Sequence, residues 1–127
     1  MFVFKFGGAS VKSAEAVRNI VEILRRYKED KIVVVVSAMG KTTNALERII
    51  DFYSGKKKEE LTNEVEQLKQ YHLGIVNGLF EDKNHAVYRM VEGHFEDLAG
   101  RLTKDPTLNL ILIMISSSAT ANCYQPP

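Results

Sequence analysis

The chain has 127 residues, 45% hydrophobic and 26% charged, with 17 lysines and arginines against 16 acids for a net charge of +1. This is the composition of a soluble globular domain, too evenly charged to offer nucleic acid a basic field, although Lys56 to Lys58 form a small local exception. No apolar run approaches the ~20 residues of a membrane span, no leader pattern follows Met1, and the single cysteine, Cys123, lacks a disulfide partner and metal-ligand spacing. The expectations are a cytoplasmic protein with no nucleic-acid partner, no membrane association and no metal held by its own side chains.

Met1 to Phe6 is rich in β-formers and stops at Gly7-Gly8, which reads as a short buried strand ended by a tight turn. From Ser10 onward Ala14, Val17, Ile20, Val21, Leu24 and Tyr27 recur at helical spacing, with Glu22 and Arg26 placed i,i+4 on the outer face. Ile32 to Val36 is apolar on both faces, the pattern of a parallel strand covered by helices on both sides. Strand, helix and strand make a βαβ unit.

After Ser37 to Gly40 a second helix is expected to begin near Thr43, with Asn44 and Glu47 matching a capping box and Gly55 ending the helix. Residues Glu59 to Phe80 and Val87 to Leu102 then carry two helical stripes separated by a polar turn, which predicts an antiparallel hairpin. His72 and His94 lie on or beside those stripes, about equally far from the turn, and so are expected nearly opposite one another as interface residues; two ligands are too few for a closed zinc site. Beyond Asp105-Pro106, the run Leu108 to Ile115 switches abruptly to a serine-rich tail with neither helical nor strand periodicity.

Two segments have the residue types for chemistry. Lys5-Phe-Gly-Gly-Ala-Ser10 lies between a strand and a helix: glycines bring main-chain N–H groups close to an anion, the helix start adds partial positive charge, Ser10 offers a hydroxyl and Lys5 a mobile full charge. It has neither the P-loop nor the dinucleotide spacing, and a Gly-Gly turn before a helix is often only a turn. Ser37-Ala-Met-Gly-Lys-Thr-Thr-Asn44 follows the second strand, and ligands of open α/β sheets bind outside the carboxyl ends of strands, so Ser37 and Thr43 are expected to face the same crevice as Lys5. As plain structure, Thr43 and Asn44 are helix caps.

Val3 to Val11, followed about 25 residues later by Val-Val-Ser-Ala-Met-Gly-Lys-Thr-Thr-Asn44, resembles the amino-terminal part of the aspartate kinases, within the amino acid kinase fold. The resemblance covers roughly residues 1–109. It implies an α/β architecture, three-layer αβα with a mostly parallel sheet, here incomplete, and a helical hairpin inserted at about 57–103. It also implies phosphoryl transfer from ATP, with Mg2+, to the β-carboxylate of L-aspartate, giving 4-phospho-L-aspartate on the route to lysine, threonine and methionine. By this resemblance Lys5 is the catalytic lysine bridging the transferring phosphate, and Gly7, Gly8, Ala9 and Ser10 line the phosphate path. Ser37 and Thr43 hold aspartate, and a homo-oligomer is expected. Ala9 stands where many relatives have threonine.

The family continues with a Ser-Tyr-Gly-Glu or Ser-Phe-Gly-Glu motif, a glycine-rich loop and the nucleotide half, which residues 110–127 do not match. Allowed codons for Thr120 to Pro126, read from the last base of the Thr120 codon, spell Gly-Glu-Leu-Leu-Ser-Thr; any codons for Asn122 to Gln125 force the two leucines. The tail therefore reads as a frame slip near Asn109, or alternatively as a natural truncation. The 127 residues alone are expected to be inactive. The alternative of another class is a non-catalytic interaction or dimerisation module built on the βαβ core and hairpin.

Overall fold

The computed structural model of the protein describes residues 1–104. Strand β1 (Phe2–Phe6) leads through a 3-10 turn (Gly8–Val11) to helix α1 (Ala14–Arg25) and strand β2 (Ile32–Val36). Helices α2 (Thr42–Ser54), α3 (Lys58–Leu79) and α4 (Ala86–Leu102) follow. The tail readings, including the apolar run at 108–115 and Cys123, lie outside the described residues.

The two strands pair in parallel, Phe2 with Ile32 through Phe6 with Val36. Alternation along a strand puts Phe2, Phe4 and Phe6 on one face. There Phe6 joins Val11 and Ile20 in a core flanked by Phe4, Val17, Ile23, Leu24 and Met39. Tyr27 caps that face, its ring 4.9 Å from Phe4 and 5.1 Å from Phe2. The opposite face carries Val3, Lys5, Val33 and Val35. It is open: Val3 is 65% exposed, Val33 45% and Val35 48%. The expectation of helices covering both sides of β2 is not met among the described residues: Val33 to Val36 are all exposed, including Val34 and Val36 on the face shared with Phe4 and Phe6.

Three local readings are corrected. The glycines feed a four-residue 3-10 turn, not the long helix, and α1 begins at Ala14 with the Ser13 side chain accepting from the Ala16 N–H at 3.1 Å. Helix α2 starts at Thr42 with Lys41 at its N-cap; Asn44 lies inside the helix and caps nothing. Glu22 pairs with Arg25 at 2.5 Å rather than with Arg26, since i,i+3 neighbours share a helix face as well as i,i+4 ones do.

Helices α3 and α4 form the expected hairpin. At the closed end the Tyr88 hydroxyl donates to the Phe80 carbonyl at 2.8 Å, and farther along the rings of His72 and Phe95 meet at 5.6 Å, so the helices run antiparallel. The residue across from His72 is Phe95, while His94 is exposed, which corrects the expected histidine pair. Rotating about 100° per residue, a helix turns neighbours onto different faces, and only one of residues 94 and 95 can face α3. A second core of Ala45, Ile49 and Leu68, flanked by Leu46, Leu61, Val65, Phe95 and Leu102, joins α2 to the hairpin. Arg48, whose Nε and Nη2 both donate to Glu64 Oε1 at 2.9 and 2.5 Å, and the Tyr53 hydroxyl donating to the Lys104 carbonyl at 2.5 Å fasten the same seam.

Candidate functional site

Parallel pairing sends the carboxyl ends of β1 and β2 to the same edge of the sheet, so the segments that follow them are neighbours. The Ser37 amide donates to the Phe6 carbonyl and the Gly40 amide to the Gly8 carbonyl, at 2.9 and 3.0 Å. Gly8 is a glycine for a packing reason: a Cβ there would lie 2.8 Å from the Gly40 carbonyl oxygen and 2.9 Å from that of Ala38. The two loops therefore touch backbone to backbone.

Gly7 differs. Its φ of −77° suits any residue, and a Cβ there would meet nothing within 4 Å. Neither strain nor packing among the described residues requires glycine; what it leaves is bare, exposed main chain at the end of β1. Ala9 and Ser10 lie exposed in the 3-10 turn, closed by the Ser10 amide donating to the Gly7 carbonyl at 2.9 Å.

Lys5 pairs in register with Val35 and is exposed on the open sheet face. Ser37 continues the row Val33, Val35 and so falls on the same side, about 7 Å farther along the strand direction. Thr43 is exposed in the first turn of α2. Among the described residues, no hydrogen bond joins the side chains of Lys5, Ser10, Ser37 and Thr43 to one another. All four are exposed. No group of three or more His, Cys, Asp or Glu among the described residues is placed to hold a metal ion.

Three residues that sequence reasoning did not assign to the site lie directly behind it. Thr42, 9% exposed, donates its hydroxyl to the Met39 carbonyl at 2.6 Å and lies 3.5 Å from His72 Nε2. The Tyr71 hydroxyl donates to the Lys12 carbonyl at 2.7 Å, and a Cβ on Gly40, whose φ is +55°, would come within 2.5 Å of it. The available signal was a Tyr-His pair breaking the apolar stripe of α3 after Leu68; its partners, about 30 and 60 residues earlier, were not readable.

The strand ends thus present a parallel βαβ unit with a glycine turn after its first strand, a lysine on that strand and a second polar loop packed on the glycines. The family model for the amino acid kinase family matches residues 1–112, and the chain belongs to that family. It is 33% identical over 100 residues to "Aspartokinase 2, chloroplastic" of Arabidopsis thaliana, covering 76% of this chain and 17% of that protein. It is 31% identical over 121 residues to the aspartokinase of Chlamydia trachomatis serovar D, covering 95% of this chain and 26% of the relative. With "Aspartokinase 2" of Bacillus subtilis strain 168 the identity is 32% over 88 residues, 67% of this chain and 22% of the relative. The chain thus spans about a sixth to a quarter of these relatives. Its α/β architecture, with a two-stranded parallel sheet and four α-helices among the described residues, agrees with an amino-terminal part of the amino acid kinase fold.

Proposed function

We propose that these residues are the amino-terminal portion, 1–109, of an aspartate kinase catalytic domain, and that they supply the phosphate-bridging and aspartate-holding half of its site. The observation that carries this reading is the bare backbone at Gly7, beside a Gly8 that packs on the second loop. Such an arrangement lets main-chain N–H groups reach phosphate oxygens without a side chain intervening.

Phosphoryl transfer asks a protein mainly for positioning and charge neutralisation. In this reading the Lys5 ammonium moves between the β- and γ-phosphates of ATP and the accepting oxygen. Gly7, Gly8, Ala9 and Ser10 line the phosphate path, and Ser37 and Thr43 hold L-aspartate so that its β-carboxylate faces the γ-phosphorus. Mg2+ would enter with ATP and would neutralise charge on its phosphates. The product is 4-phospho-L-aspartate, in the cytoplasm. Among the described residues no helix is long and apolar enough to cross a membrane.

The test is a chimera in which residues 1–104 replace the matching segment of the Chlamydia trachomatis relative. It is expected to release ADP when given L-aspartate, in preference to L-glutamate or UMP, and to lose that release with Lys5→Ala. The 127-residue chain alone is expected to release none above its own Lys5→Ala control. A folded chimera with no aspartate-dependent release refutes the assignment.

The open sheet face supports a second reading. Val3, Val33 and Val35 form an apolar strip that a further layer or a second copy would cover. A concentration-dependent increase in sedimentation, lost on Val33→Lys, would favour a dimerisation module; a monomer at all concentrations would remove it.

A further inference from the structure

We propose that Tyr71 of α3 is a positioning residue that holds the two loops of the site in register from behind, with His72 packed beside it. Tyr71 donates to the carbonyl of Lys12, the residue that closes the 3-10 turn after the glycines, at 2.7 Å. The same hydroxyl sits against the α-carbon of Gly40 in the second loop, where an added Cβ would come within 2.5 Å. One phenolic oxygen therefore lies between the two loops.

His72 packs behind the second loop. Its Nδ1 lies 2.8 Å from the Leu68 carbonyl, which can only accept, so Nδ1 carries hydrogen and fixes the ring. The rings of Tyr71 at 5.4 Å and Phe95 at 5.6 Å confine the imidazole further. Nε2 is thereby left as an acceptor 3.5 Å from the Thr42 hydroxyl, which gives its hydrogen to the Met39 carbonyl at 2.6 Å, so the ring meets Thr42 by packing and not by a hydrogen bond. Tyr71 alone touches both loops. The hairpin, remote in sequence from both loops, is by this geometry the template that sets their separation. Its bearing on catalysis rests on reading the loops as the phosphate and aspartate site; the clamp itself does not.

Amide hydrogen exchange on the 127-residue chain reads the clamp directly. Tyr71→Phe is expected to speed exchange of the Ser10 and Gly40 amides roughly three- to tenfold, the loss of one hydrogen bond. His72→Phe, which keeps the ring volume, and Tyr88→Phe, which removes the bond at the closed end of the hairpin, leave both amides unchanged. Wild-type rates in Tyr71→Phe overturn the proposal, as does acceleration spread over the whole hairpin or reproduced by His72→Phe or Tyr88→Phe. The chimera assay is independent: loops that loosen on cue in a chain whose chimera ignores aspartate would refute the functional reading and leave the clamp standing.

Discussion

Gly8 and Gly40 meet main chain to main chain: the Gly40 amide donates to the Gly8 carbonyl at 3.0 Å, and a Cβ on Gly8 would be 2.8 Å from the Gly40 oxygen. Both obstructing atoms, including the Ala38 carbonyl at 2.9 Å, belong to backbone and cannot rotate aside. Gly8→Ala is therefore expected to force the loops apart and cost about 1–3 kcal/mol, read from the denaturation midpoint. Gly7→Ala, with open space around it, is expected to stay within about 0.5 kcal/mol of wild type. Equal costs at the two positions would contradict the division of labour between them.

Gly40 combines a left-handed φ of +55° with the Tyr71 hydroxyl 2.5 Å from where a Cβ would lie. The conformation alone costs a non-glycine residue about 1–2 kcal/mol, and the hydroxyl adds to that. Gly40→Ala and Tyr71→Phe are expected to be non-additive in a double-mutant cycle, the pair costing less than the sum. Strict additivity would mean that the two residues do not touch.

Gly78 marks the contact of α3 with α1: a Cβ there would come 2.6 Å from the Ala14 Cβ, and Arg18 donates to the Gly78 carbonyl. Gly78→Ala gains helix propensity yet is expected to destabilise, with Ala14→Gly relieving it. Gly74, four residues earlier with nothing within 4 Å of a Cβ, gives the opposite sign: Gly74→Ala is expected to stabilise by about 0.4–1 kcal/mol. Thermal melts of the three variants, Gly78→Ala, Gly78→Ala with Ala14→Gly, and Gly74→Ala, decide the matter.

Ile49 is 1% exposed at the centre of the seam between α2 and the hairpin. Ile49→Ala is expected to cost about 2–5 kcal/mol through lost burial and an unfilled cavity. A loss below 1 kcal/mol in chemical denaturation would show that the hairpin is not packed on α2.

Local pattern made much of this legible. The β-branched run at 32–36, the stripe of α1 and the two stripes of the hairpin each specify an element through side-chain period alone. The strand-end placement of Lys5 and Ser37 followed from parallel pairing. What the pattern could not convey depends on contacts distant in sequence. Asn44 does not cap α2, because the helix starts two residues earlier, at Thr42, with Lys41 at its N-cap. Helical spacing cannot say which of His94 and Phe95 faces His72, because a small rotation of α4 decides it. The 3-10 turn at 8–11 escaped notice because its residues fit a continued helix equally well.

The central claim is that the glycine turn and the loop after β2 form one anion site served by Lys5. Its most direct test is a titration of the isotopically labelled chain with pyrophosphate, following the backbone amides by NMR. The account predicts that Gly7, Gly8, Ser10 and Gly40 shift together along one binding curve, and that Lys5→Ala weakens that curve at least tenfold while leaving the fold intact. Amides at 7–10 that do not move, or a curve indifferent to Lys5→Ala, would contradict it.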